Sequence, residues 1–357
     1  MSEQERIRGL ENQINELIRD RNKLLAERSN NRLFSNPSIS DILSELIESK
    51  RQGEVEKFKN FAEELHEVVK VDYSSDVQKD PIKDMEKFYS VTPYFELPER
   101  MGINLKMKKG NTVVFGARPG VGKTKTLANL VYEDLKSKIP IAVYSLEQNS
   151  VDIWISIAQL WIFENHEVSI NFWQMREVMN SPKYSEIKKA FEGWVKDRIV
   201  CIRIVNASGY TAQDIVRSIE SVTTALSAKP EKVYIDYIQI IRRDQNFRGS
   251  SKESMDQISH VITTKCKRMN NVFILLSQLT RESEEKKKPS LSDFKESGAI
   301  EQDAGIAIII ARPTDEEGKP TDEINFWVVK DRYGGTRGKK ISFIDKQTFF
   351  IGANKEF

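Results

Sequence analysis

The stretch Gly116-Ala117-Arg118-Pro119-Gly120-Val121-Gly122-Lys123-Thr124 reads as a phosphate-binding loop of the G-x-x-x-x-G-K-[ST] type, and Lys125 continues it. It follows the apolar run Thr112–Phe115 and opens a helical pattern through Leu127, Leu130 and Val131. That strand-to-helix setting is what such a loop requires. Glycines let main-chain N–H groups turn inward around phosphate oxygens, and a helix N-terminus adds a favourable dipole. Lys123 then supplies charge to the β- and γ-phosphates, and the Thr124 hydroxyl suits Mg²⁺. The expected ligand is a nucleoside triphosphate.

Two carboxylates and an amide end other apolar runs. Asp236 closes Val233–Asp236, and in an open parallel sheet the C-terminal strand ends face the ligand crevice, so it is expected to support the magnesium ion. Glu147 closes Ala142–Glu147 and is assigned as the base, or the orienting group, for an attacking water. The competing reading of Glu147 is a carboxylate in the first turn of the next helix, set against the positive end of its dipole. Gln278, at the end of Val272–Gln278, fits a γ-phosphate sensor or a plain amide at a sheet end. Arg242, Arg243 and Arg248 flank an Asn/Gly/Ser-rich stretch after Asp236, and Lys286, Lys287 and Lys288 form a basic run after Gln278. Both loops suit a polyanion, with solvated loops as the alternative. Phe247 alone stands between the arginines, so phosphate contact is favoured over base stacking. Lys330 and Arg332 stand two apart, and an extended chain points both to one face. They read as two cations for one polyphosphate, or as a solvated hairpin.

The elements that must position these groups are legible as texture. Short β-rich runs at residues 112–115, 141–145, 199–205, 232–241, 272–276, 306–310 and 324–329 are mostly separated by amphipathic helical stretches. This alternation predicts an α/β fold with a mostly parallel central sheet covered on both faces. The segment Ile341–Phe350 reads as strand, turn and strand. Residues 1–71 read as a helical arm, with a stripe through Ile7, Leu10, Ile14, Leu17 and Leu24 that fits a short coiled coil or a docked amphipathic helix. Residues 72–98, marked by Pro81, Pro93 and Pro98, read as a linker, and residues 99–357 as one α/β domain.

Composition excludes several classes. The 357 residues are 39% apolar and 30% charged, and no apolar run approaches the roughly 20 residues of a membrane span. The first residues are charged and lack the apolar segment of a secretory leader, so a cytoplasmic location is expected. Two cysteines without a paired spacing, Cys201 and Cys266, exclude a disulfide framework and a structural zinc site. The net charge is only +2, so any basic surface must be local.

From about Lys109 to Phe343 the chain resembles the DnaB-type hexameric replicative helicases, with their RecA-like P-loop NTPase motor domain. The likeness lies in Gly116–Thr124, Tyr144–Glu147, Ile235–Ile241, Leu275–Arg281, Pro289–Ala304 and Lys330–Gly338, in that order. It implies ATP as nucleotide with Mg²⁺, single-stranded DNA as track, and a homo-hexamer. It implies that Glu147 is the catalytic carboxylate, that Asp236 supports the magnesium, and that Gln278 couples nucleotide state to DNA loops. Lys330 and Arg332 would reach into the neighbouring subunit's nucleotide. The DNA-facing loops would fall near residues 242–254 and 281–298, the second carrying Lys295, Glu296 and Gly298. The sequence departs from the family pattern at Gln148, Lys295, Gly305 and Gly335-Thr336-Arg337, and its N-terminal region is shorter than the family's. Two other readings are a RecA-like recombination or repair ATPase that forms filaments, and a non-hydrolysing scaffold or loader subunit.

Overall fold

The computed structural model describes Leu105 and residues 107–352, apart from 245–246, 281–288, 295–297, 318, 335–336 and 347–348. The expected arm and linker, and the candidates Lys286, Lys287, Lys288, Lys295 and Glu296, lie outside the described residues. The site belongs to the compact unit Thr92–Phe357.

Nine strands form one sheet: β1 (Asn111–Ala117), β2 (Ile141–Ser145), β3 (Ile202–Asn206), β4 (Lys232–Asp236), β5 (Val272–Gln278), β6 (Ile306–Ala311), β7 (Glu323–Asp331), β8 (Lys340–Lys346) and β9 (Phe349–Gly352). Their spatial order is β3-β2-β4-β5-β1-β6-β7-β8-β9. The first six in that order are parallel, and β7, β8 and β9 add antiparallel at one side. Strands β2 and β4 are buried throughout, as expected of strands covered on both faces.

Successive side chains divide between two cores. Val113 and Phe115 join one apolar cluster and Val114 the other; Ile274 and Leu276 oppose Phe273 and Leu275 in the same way. The first cluster holds the helices α1 (Lys123–Lys136), α2 (Ser150–His166), α3 (Phe172–Asn180) and α4 (Ser185–Arg198). The second holds α5 (Ala212–Leu226) and α6 (Ser251–Met269), and the short α7 (Gly298–Asp303) contacts α6. At the far end of α1, buried Asp134 accepts from Lys232 and from the Tyr234 hydroxyl, the latter at 2.5 Å. This pins the helix to β4.

Two expected strands are shorter than their apolar runs. Residues 199–201 continue α4 as a 3₁₀ turn, and the strand starts at Ile202. The run at 232–241 stops at Asp236, and Ile238–Ile240 is again a 3₁₀ turn. Ile238 and Ile241 are both buried, and a spacing of three puts both on one face of such a turn, where a strand would split them.

Candidate functional site

The phosphate loop joins β1 to α1. Gly120 and Gly122 hold φ of +77° and +120°, backbone that a side chain would strain. Helices α2, α3, α5 and α6 each begin with a side-chain cap, on Asn149, Asn171, Thr211 and Ser250. Helix α1 has Gly122 there, with no capping side chain and no acid in its first turn. Its first N–H groups are left to a ligand. Counting back from Gly122-Lys123 puts Ala117 at the first glycine position of the loop pattern, and Gly116 one residue earlier, within β1. A Cβ at Gly116 would come within 2.6 Å of Phe294 and 2.7 Å of Leu279, so packing explains this glycine.

Lys123 turns back from the loop over the Tyr237 ring, with Nζ 3.7 Å from the ring centroid. Burial lowers its pKa, and the nearby carboxylates of Asp236 and Glu147 oppose that fall. Thr124 donates its hydroxyl to Asp236 Oδ2 at 3.4 Å. Asp236 is fully buried, and its Oδ1 has no hydrogen-bond partner among the described residues. Burial raises its pKa to about 6; Lys123 and the Thr124 hydroxyl pull it down, and Glu147 adds to the rise. A buried, half-satisfied carboxylate beside a hydroxyl is a hard-oxygen donor set that fits Mg²⁺, which takes one or two protein carboxylates together with phosphate oxygens. Among the described residues no larger acidic or His/Cys cluster is placed to hold a metal.

Glu147 is exposed and lies two residues before the cap Asn149, while the acid in the first turn of α2 is Asp152. It therefore sits outside the helix turn of the competing reading. Its loop is fixed on both sides: Leu146 N donates to Asp236 O at 2.9 Å, and Ser145 Oγ to Gln148 O at 2.6 Å. Ser150 N donates to Asn206 Oδ1 at 2.9 Å. Gln278 pairs in register with Ala117, next to the loop.

Lys125, expected to continue the nucleotide loop, places its ammonium 3.0 Å from Asp345 Oδ2, where Arg312 also binds. Arg118, Val121, Lys125, Arg312, Trp327 and Asp345 line a groove of about 1360 Å³ beside the loop, and Asp345 Oδ1 is buried without a partner among the described residues.

Lys330 and Arg332 stand at the other end of the sheet. Ala117, at the loop, pairs with Ile310, whereas Lys330 pairs with Ala307 at the start of β6. Both cations reach the same acceptor, Gln302 O, as two side chains on one face should; the Lys330 bond is 3.0 Å. Arg332 is exposed, its guanidinium donating to that main-chain oxygen. The sheet thus separates these two cations from their own chain's loop.

Arg242, Arg243 and Arg248 are exposed beyond the 238–240 turn. Arg242 N donates to Tyr210 O at 2.8 Å, and Arg243 donates to Ser251 Oγ at 2.6 Å. Gly298 starts α7, with the side chain of Lys252 close to it.

The sequence profile of the DnaB-like helicase C terminal domain matches residues 103–351. The chain belongs to this DnaB-like family. Among curated relatives, the replicative DNA helicase DnaB of Mycoplasma genitalium is 28% identical over 257 residues, covering 68% of this chain and 53% of the relative. That of Mycoplasma pneumoniae is 30% identical, covering 61% and 46%. The chain thus spans about half the length of the curated relatives it matches. Among solved structures, an isolated ATPase domain superposes with a TM-score of 0.64 at 23% identity, covering 76% of this chain and 97% of that one. A DnaB-like replicative helicase described with its primase interactions gives 0.62 at 21%, covering 88% and 75%. These two likenesses establish the RecA-like fold.

Membership of the DnaB-like family implies nucleotide binding, in agreement with the uncapped N-terminus of α1. Among the described residues no helix is long and apolar enough to cross a membrane. Three members of the site escaped the sequence reading. Tyr237 and Gln239 lie inside Ile235–Ile241, a segment that carries the family likeness but in which only Asp236 has a residue type and place that announce chemistry. Asp345 had no signal at all, since its partner Lys125 is 220 residues away.

Proposed function

We propose that the chain is an ATP-driven translocase on single-stranded DNA that hydrolyses ATP between identical subunits of a hexameric ring during replication. The observation that carries this reading is the separation of two half-sites. Lys123, Thr124, Asp236 and Glu147 gather at the C-terminal ends of the parallel strands, and Lys330 and Arg332 lie across the sheet from them. A ring of like subunits brings one half-site of each chain against the other half-site of its neighbour.

The N-terminus of α1 and Lys123 bind and orient the β- and γ-phosphates. Thr124 and Asp236 would hold Mg²⁺, which when bound neutralises phosphate charge. The nucleoside extends away from Asp236 into the groove toward β8, where Asp345 Oδ1 offers an acceptor. Glu147, exposed and held by its fixed loop, accepts the proton of the attacking water. Arg332 from the neighbour stabilises charge on the transferred group, with Lys330 beside it. Gln278 reports the γ-phosphate to the DNA-facing segments, in which Arg242, Arg243, Arg248, Lys286, Lys287, Lys288 and Lys295 contact phosphates, with Glu296 and Gly298 in the same second segment.

The test is ATP turnover of the full chain with and without single-stranded DNA, alongside its mass in solution with nucleotide. DNA-stimulated hydrolysis by a hexamer supports the reading. No hydrolysis would favour a scaffold or loader subunit, and filaments on DNA a recombination ATPase.

A further inference from the structure

Pairing between β4 and β5 ends at Ile235 with Leu275, while β1 stays paired with β5 as far as Gln278. The last residues of β5 therefore lose their neighbour on the β4 side. The side chain of Gln239 takes the vacated place. Its Oε1 accepts from Gln278 N at 3.0 Å, and its Nε2 donates to Gln278 O at 3.2 Å and to Ser277 Oγ at 2.8 Å. One primary amide thus presents to Gln278 the donor and acceptor that a strand peptide would offer.

Gln239 sits on a stiff support. The 238–240 turn closes through Ile240 N to Tyr237 O and Ile241 N to Ile238 O, both at 3.3 Å, and buries Ile238 and Ile241. The residue before the turn, Tyr237, lies under the Lys123 ammonium; Arg242, just after it, is tied to Tyr210. We infer that Gln239 is a positioning residue that joins Gln278 to this turn, so that the nucleotide-facing end of β5 and the polyanion-facing Arg242 respond to nucleotide as one body. The inference rests on the reading of Gln278 and Arg242 given under Proposed function. Gln239 itself needs no contact with nucleotide or DNA; it acts through the main chain of Gln278.

The experiment measures the affinity of the full chain for a fluorescently labelled oligothymidylate, once with ADP and once with a non-hydrolysable ATP analogue. In the wild type the two affinities should differ by about tenfold, within the usual range of coupling between sites. Gln239→Leu, similar in size but unable to hydrogen-bond, should bring that ratio to about twofold or less, with labelled-nucleotide affinity little changed. The loss of its three bonds should also lower the melting temperature, so the ratio is the deciding readout. A merely structural role would lower the melting temperature and leave the ratio alone. Gln239→Leu with the wild-type ratio would overturn the inference, as would equal affinities in the wild type. If Gln239→Leu no longer melts cooperatively, Ser277→Ala decides, because it removes one of the three bonds; an unchanged ratio there overturns the inference. A wild type that binds no nucleotide or no oligothymidylate fails the underlying reading instead.

Discussion

At the C-terminal ends of the parallel strands, Lys123 is enclosed by Asp236, Glu147 and the Tyr237 ring. At the opposite end, Lys330 and Arg332 converge on a neutral main-chain oxygen, and Arg332 remains exposed. The first region is assembled within one chain, where burial and opposed charges set the protonation of Asp236 and Lys123. The second presents two cations that share one main-chain acceptor, Gln302 O. The difference fits the ring proposed above, in which each chain would contribute two unlike halves of a site that meet across a subunit boundary.

The strongest way to break this comparison is to separate the halves by mutation. Arg332→Ala should lower DNA-stimulated turnover by about 10³-fold or more while nucleotide binding persists, as when an arginine finger is lost. Mixing it with Glu147→Gln chains should recover part of the activity, because some interfaces then hold both intact residues. If two inactive but assembling variants restore nothing on mixing, the shared site is wrong.

On the enclosed side, Glu147→Gln should cut turnover by about 10²-fold or more with ATP still bound, consistent with loss of a general base. Lys123→Ala should instead weaken nucleotide binding itself, which equilibrium titration with a labelled analogue separates from turnover. Equal behaviour of the two variants would erase the proposed division of labour.

Asp236 sharpens the comparison through pH. Its folded pKa of about 6 lies above its unfolded value near 3.8, so folding favours the protonated form. Its contribution to stability is full below the unfolded pKa, is lost as pH rises through about 6, and is constant above that. The nucleotide-free wild type should therefore lose stability relative to Asp236→Asn by about 2 kcal/mol between pH 4 and pH 7. Denaturant melts at several pH values measure this, and Mg²⁺ with ATP should reverse much of the loss. Parallel stability profiles for the two proteins would mean that Asp236 does not hold a buried charge.

The smallest effect belongs to the polyanion face. Arg242→Ala should weaken single-stranded DNA binding a few-fold regardless of base sequence, and lower the salt slope of log affinity by about 0.7. An unchanged slope would remove Arg242 from the DNA surface.

Much of the enclosed region was legible because its groups lie at the ends of contiguous apolar runs. The Gly116–Thr124 loop, Glu147, Asp236 and Gln278 each follow a strand that the run itself announces, and β2 matches its run residue for residue. What could not be read depends on sheet order. Nothing local says that β7 runs antiparallel to β6, and therefore that Lys330 and Arg332 stand at the end away from the loop. Gln239 falls within the expected strand run 232–241 because Ile238, Ile240 and Ile241 extend the apolar run beyond its structural end. The ion pair of Asp345 with Lys125 joins residues 220 apart, and no periodicity encodes it.

The buried trio of Asp134, Lys232 and Tyr234 has a consequence for how the sequence can drift. Losing the lysine alone would leave a carboxylate buried without its counter-charge, at a cost of about 3–5 kcal/mol. Exchanging the whole trio for well-packed apolar residues is often neutral or better. Positions 134, 232 and 234 are therefore expected to change together among relatives, although about a hundred residues separate the first from the other two. Helix α1, which opens at the phosphate loop, and β4, which ends at Asp236, would then leave a joint record in the sequence at the end of the helix away from that loop.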